Sequence, residues 1–253
     1  MPSVLQRSLR LFTVLIIACS LTACAYWLRA YQVYLQMGEF DHYFDVSVGD
    51  EFRLNFQKPI MLSEDFVSLS KLHASEENAT ADGKKWRYWF RKVNGYRKPV
   101  VPEIKFYSEL TFNKENKLTT WAFSSLFLQI APPKFLEASL RSLGGAEINK
   151  DEMQLRGNTD AVEKIADQLP KKDTIVAQLG KPFEIKPDKD QEIYVYLFLL
   201  DTPKIDKGYE DRALSEVKLS FDKKTQELVR MAGRFAGLKI SINYRKFQEG
   251  AKK

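Results

Sequence analysis

From Ile193 to Leu200 the chain reads Ile-Tyr-Val-Tyr-Leu-Phe-Leu-Leu. The stretch is rich in aromatic and β-branched residues and carries no charge, so both faces of an extended segment would be apolar. A strand with one face in water alternates apolar and polar side chains, whereas a strand covered on both faces does not. The sequence therefore predicts a central β-strand here, with other parts of the protein packed on both sides of it.

The segments on either side of this strand predict a helix before it and a hairpin after it. In residues 172–182, Asp173 can cap a helix N-terminus, Gly180 can end the helix, and Pro182 prevents its continuation. In residues 218–228, alternating side chains lead into a polar turn that opens with an aspartate, which is typical of a β-hairpin. These segments together predict an α+β unit built on an antiparallel sheet.

The same pattern occurs earlier in the chain. A helix start is predicted at 59–69, an aromatic strand at 86–90 and a hairpin at 109–118. Asp65 and Asp173 lie 108 positions apart, and the hairpin residues Leu110 and Leu219 lie 109 apart. A constant spacing favours duplication of one unit. The alternative is that an α+β protein shows helices and hairpins at similar intervals by chance.

Two further helices are predicted between the strands. Apolar residues at helical spacing indicate one at 132–143, and a second at 159–169 would form an αα-hairpin with the helix after Asp173. We therefore expect an α+β fold of two tandem repeats, each a helical segment or αα-hairpin on a curved antiparallel sheet of about four strands. The expected boundaries are a signal peptide at 1–23, a first repeat with an N-terminal aromatic helix at 24–145, and a second repeat at 146–253.

The N-terminus has the features of a secretory signal. Arg7 and Arg10 precede an apolar run from Leu11 to Ala23, which is shorter than the ~20 residues of a membrane-spanning helix. The run ends in Leu-Thr-Ala and Cys24, which resembles a bacterial lipobox. Such a cysteine is acylated, for example with palmitate, and becomes the first residue of the mature lipoprotein. The alternatives are an uncleaved anchor or a cysteine buried in the core.

Two segments of the mature chain predict contact with a membrane surface. The segment after Cys24 is an aromatic helix rather than a flexible tether, and aromatic side chains favour the lipid interface; this helix could equally pack on the first repeat. A basic run on the strand near residue 86 could meet anionic headgroups, or it could simply be the solvated edge of a strand. The predicted membrane-surface residues are Tyr26, Trp27, Tyr31, Tyr34, Lys84, Lys85 and Arg87.

The second unit resembles a known family. The residues that carry the resemblance are the helix end Leu179-Gly180-Lys181-Pro182, the strand residues Tyr194 and Tyr196, and the hairpin from Leu219 to Lys223. Over residues 159–235 they are similar to the small outer-membrane lipoprotein of the β-barrel assembly machinery and to the repeat of the β-lactamase inhibitor proteins. The resemblance implies an αα-hairpin on a curved sheet, and a role in binding other proteins rather than in catalysis. It assigns no binding residue to this chain.

The composition argues against the common kinds of active site. The chain has two histidines, too few for a three-histidine zinc site, and its two cysteines are Cys19 in the signal and Cys24. It also lacks Gly-x-Ser-x-Gly, phosphate-loop and dinucleotide-binding motifs. We therefore expect no enzymatic activity, no cofactor and no metal site. A lipoprotein outside the cytoplasm also rarely meets nucleic acid, so we expect no nucleic-acid partner.

The function predicted from the sequence is that of a scaffold. We expect a lipid-anchored protein on the outer membrane, facing the periplasm, that binds an envelope protein and acts in assembly or maintenance of that membrane. An alternative is a carrier that holds a lipid or cell-envelope fragment between its sheets. The predicted partner-binding residues are Trp86, Tyr88, Trp89, Phe90, Trp121, Tyr194 and Tyr196. A strand buries every second side chain whatever its function, so about half of them should face inward.

Overall fold

A computed structural model describes residues 25–149, 154–235 and 238–250 and shows an α+β fold with one large, curled antiparallel sheet. The helices are α1 (25–36), α2 (Phe40–Tyr43), α3 (Ser63–Ser70), α4 (Ser125–Leu128), α5 (Pro133–Arg141) and α6 (Lys172–Leu179). The strands are β1 (Phe44–Val48), β2 (Glu51–Phe56), β3 (Glu76–Thr80), β4 (Gly83–Val93), β5 (Lys105–Asn113), β6 (Leu118–Ser124), β7 (Glu147–Asn149), β8 (Gln154–Arg156), β9 (Glu184–Asp188), β10 (Gln191–Asp201), β11 (Leu214–Asp222), β12 (Leu228–Phe235) and β13 (Leu238–Asn243).

The strands of the large sheet follow the order β1-β2-β6-β5-β4-β10-β11-β12-β13, with β3 beside β4 and β9 beside β10. Strands β4 and β10 pair antiparallel through their C-terminal halves, from Val93 with Leu197 to Trp89 with Asp201. Their N-terminal halves pair with β3 and β9. The prediction of separate sheets of about four strands is therefore wrong, because this pairing joins the strands into one sheet of eleven. Strands β7 and β8 form a separate two-stranded sheet just after residue 145, where the first predicted repeat ends.

Strand β10 is the central strand that the sequence predicts. Tyr196 and Phe198 are fully buried on one face of the sheet, and Val195 and Leu197 are buried on the other. Both edges of the strand are paired along almost their full length, by β11 on one side and by β9 and β4 on the other. The uncharged run from Ile193 to Leu200 matches the position of this strand in the interior.

The inner face of the sheet is filled by a cluster of phenylalanines. Phe106 of β5 lies at its centre, with ring centroids 5.1 Å from Phe90, 4.9 Å from Phe198, 5.5 Å from Phe127 and 5.8 Å from Phe235. These rings come from β4, β10, α4 and β12. The Phe90 ring is stacked on Phe106 and the other three rings are tilted or edge-on to it, arrangements that the charge distribution of aromatic rings favours. The cluster therefore packs the strands before β10 and those after it into one core.

Helices α5 and α6 form where the sequence predicts them, with one difference in capping. Helix α5 begins at Pro133 and buries Phe135 against the core. Helix α6 ends at Gly180, whose φ of +66° is accessible to glycine at little cost. The N-cap of α6 is Lys171 rather than the predicted Asp173, which lies in the first turn without making a capping hydrogen bond.

The predicted helix at 159–169 is wrong. Only Thr159–Ala161 form a single 3-10 turn, and the following residues are not helical. The Ile165 N–H donates to the Phe247 carbonyl at 2.7 Å, and the Ile165 carbonyl accepts from Glu249 at 3.0 Å. The backbone of this segment thus pairs with the C-terminal segment instead of with itself. The apolar spacing that suggests a helix reflects burial of Leu169 in an extended chain, so the αα-hairpin predicted from this segment and α6 does not form.

Two cations link the two halves of the chain, because each one contacts the C-terminal end of a helix from the other half. The Lys92 ammonium of β4 donates to the carbonyls of Leu179 and Lys181 at the end of α6, and Arg212 before β11 donates to the Leu69 carbonyl of α3. A helix C-terminus carries unpaired carbonyls and a partial negative charge, so both contacts are favourable. Burial lowers the pKa of Lys92, which pairs with no carboxylate in the described part of the chain.

The position of Phe106 predicts a large stability effect. We expect Phe106→Ala to lower the free energy of unfolding by about 3–5 kcal/mol, because it leaves a cavity among four other rings. Urea unfolding followed by far-UV circular dichroism should still show one transition, since the sheet is continuous. The half-buried Phe66 of α3 provides the control, and Phe66→Ala should cost only about 1–2 kcal/mol. Two separated transitions in either variant would contradict a single cooperative core.

Candidate functional site

Four of the seven predicted partner-binding residues lie in the core: Trp86 (6% exposed), Tyr88 (5%), Phe90 (1%) and Tyr196 (0%). The even-numbered residues of β4 point to the inner face because side chains alternate along a strand. Such residues cannot contact a partner while the fold is intact.

Trp121 and Tyr194 are half-buried and also lie on the inner side of the sheet. The Trp121 indole donates to the Ser108 hydroxyl at 2.7 Å, and its ring lies 4.9 Å from that of Phe123. The Tyr194 ring lies 5.1 Å from the buried Phe221 ring. Both side chains are engaged with the core, so they contribute little free surface to a partner.

Trp89 is the predicted partner-binding residue that lies on the outer face. Its ring meets that of Tyr107 on β5 edge to face at 4.9 Å, and the Arg87 guanidinium lies 4.3 Å from the Tyr107 ring. The Lys105 ammonium lies 4.9 Å from the Trp89 ring, and the Trp89 indole donates to Glu76 at 2.9 Å. Contacts of cations with aromatic faces are favourable by roughly 0.5–1 kcal/mol at exposed sites. Trp89 is therefore held in an ordered but half-exposed position.

Carboxylates on neighbouring strands fix the cations around Trp89. Glu109 is buried and accepts from Arg87 at 2.9 Å, while Lys85 lies 3.4 Å from it. Partial burial alone would lower the pKa of Arg87, but the hydrogen bond and charge of Glu109 outweigh this and raise it. Arg91 pairs with Asp201 of β10 at 2.8 Å. The arrangement is an ion-pair network that spans three strands.

The hydroxyl of Tyr107 donates to Glu51 of β2 and so extends this network further across the sheet. Desolvation and this carboxylate raise the pKa of Tyr107 to about 12, so that the hydroxyl stays protonated at neutral pH. We name the residues that lie around Trp89 the outer-face cluster. It consists of Arg87, Trp89, Arg91, Lys105 and Tyr107.

The basic residues predicted to face a membrane do not share a surface. Lys84 points to the inner side, where its ammonium lies 4.8 Å from the Trp86 ring, whereas Lys85 and Arg87 are joined to Glu109 on the outer side. Lys84 also lines an open depression of about 330 Å³ with Lys114 and Asn116. The alternation of the strand thus separates residues that are clustered in the sequence.

The aromatic residues of α1 that are predicted to face a membrane lie on two different sides of the helix. Trp27 and Tyr31 are exposed, while Tyr26 and Tyr34 are half-buried, and the Tyr34 hydroxyl donates to the Ala146 carbonyl at 2.9 Å. The exposed side also carries Leu28 (59% exposed), which is not among the predicted membrane-surface residues. Its spacing from Trp27 and Tyr31 on a helix is the signal that would have identified it. Cys24 lies outside the described residues, directly before α1.

The described part of the chain does not bring together the residue types of a metal site. It contains no group of three or more histidine, cysteine, aspartate or glutamate side chains placed to hold a metal. His42 lies 2.8 Å from the Lys58 ammonium, and Asp201 at the end of β10 pairs with Arg91. A second open depression, of about 660 Å³, lies beside the β1–β2 turn and is lined by residues such as Ser47 and Glu51. None of the described helices has the length and apolar character to cross a bilayer.

The chain matches no family model, no curated protein and no solved structure. Its own surfaces are therefore the guide to its function, and the outer-face cluster and the exposed side of α1 are the two that the structure sets apart.

Adjacent residues of β4 provide a test of this division into faces. We expect Trp89→Ala to lower the free energy of unfolding by about 1 kcal/mol, because the ring is half-exposed and loses mainly cation contacts. Phe90→Ala should cost about 3–5 kcal/mol, because its ring is buried in the phenylalanine cluster. Chemical denaturation of both variants measures the difference. Equal losses would show that Trp89 belongs to the core.

Proposed function

We propose that this chain is a non-enzymatic, lipid-anchored scaffold that binds an envelope protein through its outer-face cluster. The proposal is supported by the residue types in that cluster and by the fixed positions of their side chains. Tryptophan, tyrosine and arginine are the residues that dominate binding energy in protein interfaces. Trp89, Tyr107 and Arg87 lie together on the outer face, where the core does not need them.

The cluster is ordered before any partner arrives. Glu109, Glu51 and Asp201 hold Arg87, Tyr107 and Arg91 in place through hydrogen bonds and ion pairs. Association normally costs free energy for fixing side chains, and this cost is smaller where the side chains are already fixed. The same carboxylates offset most of the positive charge. We therefore expect a partner surface that is aromatic and polar rather than strongly acidic.

The anchor in this proposal is Cys24. Its lipobox-like context is a feature of the sequence, and the helix that follows it is tied to the body of the protein. Gln36 donates to the Lys58 carbonyl at 3.1 Å and Tyr34 to the Ala146 carbonyl, so acylation at Cys24 would hold the sheet close to the bilayer. Residue 25 is alanine, whereas an aspartate there would favour retention at the inner membrane. We accordingly propose the periplasmic face of the outer membrane, and a role in its assembly or maintenance.

We also infer that the sheet arose by duplication. The order helix–strand–strand–strand–strand occurs in α3 to β6 and again in α6 to β12, and corresponding elements begin 108 to 110 residues apart. At an offset of 108, the position of Trp89 corresponds to Leu197, which is buried. The outer-face cluster therefore has no equivalent in the second unit, and we expect one partner site rather than two.

The anchor can be tested by labelling. Cells given an alkyne analogue of palmitate should label the wild-type chain and not Cys24→Ser, because the serine hydroxyl replaces the thiol. The variant should also move from the membrane fraction to the soluble fraction. Absence of label in the wild type, with unchanged fractionation of Cys24→Ser, would contradict the proposal.

The partner surface can be tested by photocrosslinking in intact cells. A benzoylphenylalanine introduced at Thr111, on the outer face near Lys85, should capture a specific protein, and adding Trp89→Ala should reduce the yield at least about tenfold if Trp89 is a hot spot. The same probe at Tyr96, which is 87% exposed on a loop, serves as the control for random capture. An unchanged adduct in a folded Trp89→Ala variant would show that another surface binds the partner.

A further inference from the structure

Helix α1 presents an apolar stripe to solvent. Its members are Trp27 (51% exposed), Leu28 (59%), Tyr31 (51%) and Leu35 (54%). Because a helix turns about 100° per residue, these four positions lie within about 100° of one another around the axis. A surface helix normally turns such a stripe toward the core, whereas here it faces outward.

The one charged group of α1 is directed to the body instead, while the uncharged Gln32 is exposed beside the stripe. Arg29 is the only charged residue in 25–36, and its guanidinium donates to Asp65 at 2.8 Å. The hydrogen bond to Asp65 raises the pKa of Arg29. Asp65 in turn accepts from the Leu62 N–H at the start of α3, at 2.7 Å. These contacts leave the outward side of the helix without charge.

The chain before α1 indicates what covers this stripe. The apolar run from Leu11 to Ala23 and Cys24 directly precede the helix. With Cys24 acylated as proposed above, the first turn of α1 begins at the surface of the bilayer. Tryptophan and tyrosine favour the interface between acyl chains and headgroups, because one end of the ring system is apolar and the other is polar.

We propose that α1 lies in the plane of the membrane interface, with Trp27, Leu28, Tyr31 and Leu35 buried at the boundary of headgroups and acyl chains. The inference rests on the membrane anchor of the proposed function, and adds the orientation of the protein on its membrane. Helices that bind in this way bury one apolar face by about 5–10 Å. Since α1 is fixed to the body by Arg29, Tyr34 and Gln36, its position in the bilayer sets the position of the whole sheet.

Because the stripe carries no charge, it should bind a bilayer whatever the charge of its headgroups. Binding by apolar burial needs no anionic headgroup, so a zwitterionic phosphatidylcholine bilayer suffices. The basic residues Lys85 and Arg87 are already paired with Glu109 and lie on the sheet rather than on α1. We therefore expect little dependence on salt concentration, in contrast to a surface that binds through lysines and arginines.

Tryptophan fluorescence in brominated vesicles tests this orientation. The full-length anchored chain is reconstituted into phosphatidylcholine vesicles with bromines at either a shallow or a deep position of the acyl chain. Shallow bromines should quench up to about a quarter of the emission, because Trp27 is one of four tryptophans and the others lie on the folded body. Deep bromines should quench less, and 0.5 M salt should change neither value.

Matched variants assign the signal to α1. Trp27→Phe keeps an aromatic ring and should abolish the quenching, while Leu28→Ser with Leu35→Ser should reduce it at least twofold. Tyr96→Ser removes an exposed aromatic residue elsewhere and should leave it unchanged. Flotation of the vesicles reports the anchor separately. A chain that floats without Trp27-dependent quenching overturns the orientation alone, and a chain that does not float overturns the anchor with it.

Discussion

The packing of Phe90, Phe106, Phe198 and Phe235 across the junction of β4 and β10 is the contact on which the rest of the structure depends. Each of these strands pairs with the other through one half of its length and with a short hairpin strand through the remainder. Without the rings behind it, this short stretch of pairing would be the only contact between the two parts of the sheet, and it would join them weakly. With them, the strands share one core and the sheet becomes continuous from β1 to β13. The contacts of Lys92 and Arg212 with helix ends reinforce the same junction.

Because the inner face of the sheet is filled, a binding site can form only on other surfaces. Aromatic side chains and short helices occupy the concave side, so the free surfaces are the outer face and the margins. Strand β4 serves both purposes, because Trp86, Tyr88 and Phe90 build the core while Arg87 and Trp89 form the outer-face cluster. The carboxylates that order this cluster come from strands far apart in sequence, namely Glu51, Glu109 and Asp201. The site therefore exists only because the sheet brings its two parts together.

Helix α1 and the outer-face cluster divide the proposed role between them. The helix has one side fixed to the body by hydrogen bonds and the other side apolar, which suits a protein held against a bilayer. The cluster has charged, ordered side chains, which suit a partner in water. A protein with a fixed orientation on the membrane presents its partner site at a defined angle, and this reduces the search that a partner must make.

Local patterns in the sequence were sufficient for several features. The uncharged run of β10 indicated a central strand, Gly180 and Pro182 indicated the end of α6, and the spacing of hairpins indicated strands in pairs. These features depend on neighbouring residues alone, which is why they could be read directly. The spacing of apolar residues at 159–169 was misleading, since an extended chain paired with the C-terminal segment buries the same residues.

The tertiary structure alone decided the rest. It showed that the strands form one sheet, and that the odd-numbered side chains of β4, Trp89 among them, face outward while the even-numbered ones build the core. The physical reason is that pairing between β4 and β10 is a contact between residues about 110 positions apart, and its register sets the face of every side chain on both strands. No pattern within either segment carries that information.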